Sequence, residues 1–173
     1  MIVSFVMLLS ESGGLYAYAA SREASYDFDH TRTAVAQLED LPLKEGTMVY
    51  ITGPAADDAA VQCGGWTIEW NGSSKKDIEG VTTIQDALEC YADDYGIEII
   101  TNKKKAKDAD VVLLCVGEQT YAEWNGDTAD LELCGALGLP DNKKAIEEAK
   151  TLGKPTVAVH YCRQKCYYEF RRF

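Results

Sequence analysis

The sequence predicts an α/β fold with a mainly parallel sheet flanked by helices on both faces. Three observations carry this. From residue 41 onward, short β-branched runs alternate with helical patterns, the arrangement of a parallel sheet whose crossovers are helices. One run, "VVLLCVGE" at 111–118, is apolar almost throughout, as a strand buried on both faces must be. Glycine or proline stands where elements change, at Gly53-Pro54, Gly96 and Gly153.

Taken in order, residues 1–40 give no confident element. "MIVSFVMLL" followed by "AYAA" has the look of a secretory signal with a small-residue cleavage site. The absence of Lys or Arg before Arg22 and the shortness of the apolar run weigh against it, and the run is too short to span a bilayer as a helix. "TMVYITGP" reads as a buried strand and its turn. In "GGWTIEWNG", strand alternation would put Trp66, Ile68 and Trp70 on one face and Thr67 and Glu69 on the other. That favours both tryptophans as core, although Gly64-Gly65 count against a regular strand.

"TTIQDALECYADDYG", 82–96, places Ile84, Ala87, Leu88, Tyr91 and Tyr95 at helical spacing before Gly96. "IEIIT", 97–101, is a second strand, and "KKKAKDAD", 103–110, a short polar helix or turn. After 111–118 comes a long irregular stretch. "DNKKAIEEAKTLG" then forms a helix that begins at Asp141 or Asn142 and stops at Gly153, and "PTVAVHY", 155–161, is the last strand.

At 173 residues the chain has room for one domain. Its formal charge of −11 argues against a nucleic-acid partner, because phosphate repulsion demands a basic face. The basic runs Lys103–Lys105 and Arg171-Arg172 are too short to supply one. The six cysteines have long, irregular gaps except for Cys162 and Cys166, so no zinc pattern emerges, and Cys115 reads as a small buried hydrophobe. "TGPAADD" has no lysine for a phosphate loop, no Gly-x-Gly-x-x-Gly follows a strand, and no Gly-x-Ser-x-Gly elbow occurs. His30 and His160 lie far apart, with no evident nucleophile. The sequence calls for no metal and no cofactor.

Ligands of parallel sheets collect beyond the carboxyl ends of the strands. That directs any binding function to the loops 53–74 and 117–135. The second contains Glu118, Tyr121, Glu123, Trp124, Asp127 and Asp130. Carboxylates accept hydrogen bonds from sugar hydroxyls and indole faces cover the C–H side of a sugar ring. An equal alternative is a solvated loop whose Trp124 anchors it to the core.

Six stretches, "LPL", "ITGPAADD", "CGGWTIEWNG", "TTIQDAL", "ADVVLLCVGEQTYAEWNGDTADLEL" and "AIEEAKTLGKPTVAV", together resemble the second, α/β-sandwich domain of glycoside hydrolase family 3. That family includes β-glucosidases and related exo-acting enzymes. The resemblance spans about residues 41–158, leaves 1–40 without a match, and gives way at 159–173 to a basic, aromatic tail. Family members continue differently there, and a codon choice exists in which a one-base shift at 159 restores a family-like reading. The resemblance implies a sandwich incomplete at its C-terminus.

It also implies the chemistry. The family works by a retaining mechanism with two carboxylates. A TIM-like barrel carries the aspartate nucleophile, and in many members a Gly-Ser-Glu-Gly type loop of the second domain carries the acid/base. A barrel needs about 250 residues, and no such loop occurs here. The expectation is a chain with no catalytic carboxylate, inactive alone, that supplies part of a sugar-binding wall. Its substrate-binding residues would be Trp70, stacked on the sugar, Trp66 as its packing partner, and Glu123, Trp124 and Asp127. The implied partners are a β-linked glucoside or oligosaccharide in the complete enzyme and the missing barrel, with no nucleic acid and no membrane. An unpaired strand edge beyond "PTVAV" and exposed apolar area would favour self-association. The alternative reading is a non-catalytic carbohydrate-binding or interaction module.

Overall fold

The computed structural model describes residues 43–130 and 132–162, together with two strands at Val3–Leu9 and Leu15–Ala20. His30 and the tail from 163 onward, with Cys166 and Arg171-Arg172, lie outside the described residues. The strands are β1 (Val3–Leu9), β2 (Leu15–Ala20), β3 (Met48–Thr52), β4 (Glu98–Ile100), β5 (Val111–Gly117) and β6 (Thr156–Cys162). The helices are α1 (Ala59–Cys63), α2 (Ile84–Tyr95) and α3 (Asn142–Leu152), with 3-10 turns at Lys103–Asp108 and Glu123–Gly126.

The sheet runs β2-β1-β6-β5-β3-β4. Strands β4, β3, β5 and β6 are mutually parallel, while β1 pairs antiparallel with both β6 and β2. The parallel core is the sheet that the alternation of patterns predicts. The β1–β2 pair is new, and it corrects the expectation of an open edge. Beside "PTVAVHY", β1 runs in register with β6 from Val3 opposite Cys162 to Leu9 opposite Thr156. Membrane-crossing helices are not found: no helix among the described residues is long and apolar enough.

Period-two alternation along the strands divides the core into two layers. Tyr50, Val112, Leu114, Val116 and Ala158 point to one face, where Ala145, Ile146 and Ala149 of α3 cover them. Ile51 and Cys115 point to the other, against Ala55, Ala56 and the α2 residues Ile84 and Leu88. Both faces are therefore covered by helix. Burial pushes the Cys115 thiol up to about 12, so it behaves as the expected small hydrophobe.

Helix α2 begins in a capping box. Thr83 Oγ1 accepts from the Asp86 backbone N–H, and the Asp86 carboxylate accepts from the Thr83 N–H, each at 3.1 Å. It ends at Gly96 in the left-handed region, as α3 does at Gly153. The predicted apolar face of α2 is narrower than its spacing suggested. Tyr91 and Tyr95 are exposed and Ala92 is buried instead.

Asn142 does not cap α3 with its side chain. It is fully buried and faces the end of β5 instead. Its Oδ1 accepts from the Gly117 N–H, and its Nδ2 donates to Gly117 O at 2.6 Å and to Leu133 O at 2.8 Å. The long loop is thereby tied at both its departure from β5 and its return toward α3.

Candidate functional site

Strand β3 lies between β4, its successor in the chain, and β5, which returns to its other side. The order in which strands join the sheet therefore reverses between β3 and β5, and the loops leaving their carboxyl ends start at this switch point, the usual place for a ligand in such sheets. They start in contact. The Ala55 N–H donates to Cys115 O at 3.1 Å, and Gly53, at φ +105°, passes so close that a Cβ there would lie 2.0 Å from the same oxygen. No residue but glycine fits both requirements.

"GGWTIEWNG" is not a strand. Residues 65–71 form successive turns and bends, closed by the Trp66 N–H donating to Trp70 O at 3.0 Å and the Gly72 N–H to Glu69 O at 3.0 Å. Thr67 Oγ1 donates to Gly64 O at 2.7 Å, and Trp66 itself takes φ +63°, a left-handed conformation costly for a bulky residue. The strand alternation expected for Trp66, Ile68 and Trp70 therefore fails, and so does the core placement. These three are exposed by 58%, 54% and 40% of their surface.

Across from this knuckle, the 3-10 turn Glu123–Gly126 raises Trp124, 65% exposed. Trp124 is not the core anchor of its loop; buried Tyr121, Ala122 and Leu133 anchor it instead. The Trp70 and Trp124 rings lie 5.3 Å apart between centroids at 55°, and Trp66 stands edge-on to Trp70 at 6.4 Å and 84°. The structure thus brings Trp66, Trp70 and Trp124 into one aromatic surface, beyond the carboxyl ends of the strands. Glu123 and Asp127, both exposed, bracket Trp124 in the chain, with Glu123 at φ +48°.

Behind the surface, Tyr121 Oη donates to Glu118 at 2.8 Å, both side chains being buried. Burial lowers the His160 imidazole below its ordinary value, with the Glu118 charge opposing in part. Asp130 closes the loop further along by accepting from the Glu132 and Ala136 N–H groups, and these backbone bonds hold its carboxyl below the usual range. The sequence reading passed over Asn71. Its Oδ1 accepts from the Ala122 N–H at 3.1 Å and from Asn125 Nδ2 at 2.9 Å. Asn71-Gly72 signals a turn, but nothing local to it signals a bond to a loop so distant in the chain.

A model of the glycosyl hydrolase family 3 C-terminal domain matches residues 37–169, which is most of the chain and includes both loops of the aromatic surface. The chain belongs to this family. Similarity to individual glycosyl hydrolases agrees with the assignment. The lysosomal beta glucosidase of Dictyostelium discoideum is 28% identical over 69% of this chain and 16% of its own length. The crystal structure of an exo-1,3/1,4-beta-glucanase from a Pseudoalteromonas species superposes with TM-score 0.58 and 25% identity, over 75% of this chain and 17% of that one. A substitution variant of that glucanase gives TM-score 0.56 and 27% identity, over 75% of this chain and 22% of the other. The chain therefore spans less than a quarter of the length of these relatives.

Proposed function

We propose that this family 3 domain supplies part of the sugar-binding wall of a β-glucosidase-type or β-glucanase-type hydrolase, and that alone it binds glucosides without cleaving them. The observation that carries the reading is the solvent-facing, tilted pair of Trp70 and Trp124 at the carboxyl ends of the strands. Exposed tryptophans held in strained and tightly hydrogen-bonded loops serve no core, and an indole face is the natural complement of the C–H face of a pyranose. Trp66 braces Trp70 edge-on, and Glu123 and Asp127 stand where they can accept from sugar hydroxyls. The similar beta glucosidase and exo-1,3/1,4-beta-glucanase point to β-linked glucose units as the ligand.

Retaining hydrolysis needs a nucleophilic carboxylate and a second carboxyl that is a general acid in a water-excluded setting. Glu123 and Asp127 are open to solvent, and buried Glu118 is engaged by Tyr121. The two activities are separated by one pair of experiments on the purified 173-residue chain. Tryptophan fluorescence should respond saturably to cellobiose and laminaribiose, and a chromogenic β-glucoside should remain intact. Turnover would contradict the non-catalytic assignment, and an unresponsive fluorescence signal would contradict the binding role.

A further inference from the structure

We propose that Asn71 is the positioning residue of the aromatic wall: its amide oxygen locks the loop that carries Trp70 to the turn that carries Trp124. Asn71 directly follows Trp70, and its two donors, the Ala122 N–H and Asn125 Nδ2, come from either side of Trp124. A backbone N–H can only donate, so the bond to Ala122 fixes Oδ1 as the atom that faces the turn. With two donors that oxygen is saturated. Ala122 is 1% exposed, so its N–H has no water to turn to when the oxygen is removed.

Two further features make the joint rigid rather than incidental. The Trp70 side of it is preset by the bonds between Trp66 and Trp70 and between Gly72 and Glu69. Next to it, Gly72, at φ +86°, lets the backbone come so near loop 117–135 that a Cβ there would lie 2.5 Å from Thr120 Cβ. The 5.3 Å spacing and 55° tilt of the two indoles are thus set by groups other than the indoles. A ligand meets a wall already assembled, which reduces the ordering cost of binding.

The purpose assigned to this joint rests on the sugar-binding reading, whereas the joint itself does not, and the test keeps them apart. In the full chain with Trp66→Phe, the far-ultraviolet exciton couplet reports the Trp70–Trp124 pair alone. Asn71→Asp retains the acceptor oxygen and should keep the couplet. Asn71→Leu removes it, and both bonds with it, and should abolish the couplet and weaken cellobiose binding roughly tenfold, because the ligand must then order the wall. A couplet that survives Asn71→Leu overturns the proposal. If that variant does not fold, Asn125→Ala decides: it removes one of the two bonds, and an unchanged couplet likewise overturns the proposal. A couplet that follows the amide in a protein indifferent to cellobiose supports the joint while sinking the sugar reading. Cellobiose binding untouched by Asn71→Leu counts against the joint alone.

Discussion

Trp70 and Trp124 reach one another from loops that leave different strands, and their rings meet at 5.3 Å while both remain open to solvent. A pair placed this way adds little to folding, since aromatic contact is worth about 0.5–1.5 kcal/mol beyond the area it buries. Trp124→Ala should therefore lower stability by no more than about 1 kcal/mol, read from the urea midpoint. A loss of about 3 kcal/mol, the usual cost of truncating a core tryptophan, would mean that Trp124 anchors the loop after all.

Asn142 should behave in the opposite way. Replacing it by Leu would orphan Gly117 N–H and Leu133 O inside the protein and leave Gly117 O with the Leu139 N–H alone. At about 1–3 kcal/mol for each unmet group, the loss should reach at least about 2 kcal/mol. Asn142→Asp should be no milder, because a carboxylate cannot donate to the two carbonyls. Equilibrium urea unfolding of both variants checks this, and near-native stability for the Asp variant would refute the hydrogen-bond assignment.

Gly53 is where the two site loops are forced together. Gly53→Ala has to place a methyl group against the Cys115 carbonyl and hold φ at +105°. The two penalties together should exceed about 3 kcal/mol. Loss of cooperative unfolding, followed by far-ultraviolet circular dichroism against temperature, is the expected outcome.

The parallel core and the helices α2 and α3 are legible because each depends on local pattern, whereas the five-residue α1 falls in a stretch that reads as loop. "VVLLCVGE" has to be a strand covered twice, and Gly96 marks the end of α2 by its own conformation. What was not legible depends on partners distant in the chain. Trp66, Ile68 and Trp70 fit a strand by spacing, but the Trp66–Trp70 backbone bond and the left-handed Trp66 turn them outward. Asn71, Asn142 and the β1–β6 pairing are invisible for the same reason: the groups that satisfy them lie elsewhere in the sequence. The aromatic character of the site was thus readable, whereas the clasp that assembles it was not.

His160 gives a pH dependence with a definite sign. Burial, the larger influence, holds its folded imidazole below the ordinary value of 6.5, against a smaller opposing effect of Glu118. The unfolded chain therefore binds the proton more readily, and stability falls as pH drops below about 6.5 and on through the folded value. Above 6.5 this contribution is flat. His160→Gln should flatten the urea midpoint between pH 7 and about 5, whereas the carboxylates held low, Asp130 and Glu148, act at more acidic pH. An unchanged slope in the variant would assign the acid sensitivity to another group.

The most direct test of the central claim is saturation-transfer difference NMR with cellobiose on the intact chain and on Trp70→Ala. An indole wall stacked on a pyranose predicts transfer concentrated on the ring C–H protons of one sugar face, and its loss in the variant while the fold persists. Absence of transfer to the wild-type chain, or transfer that Trp70→Ala leaves unchanged, would contradict the account.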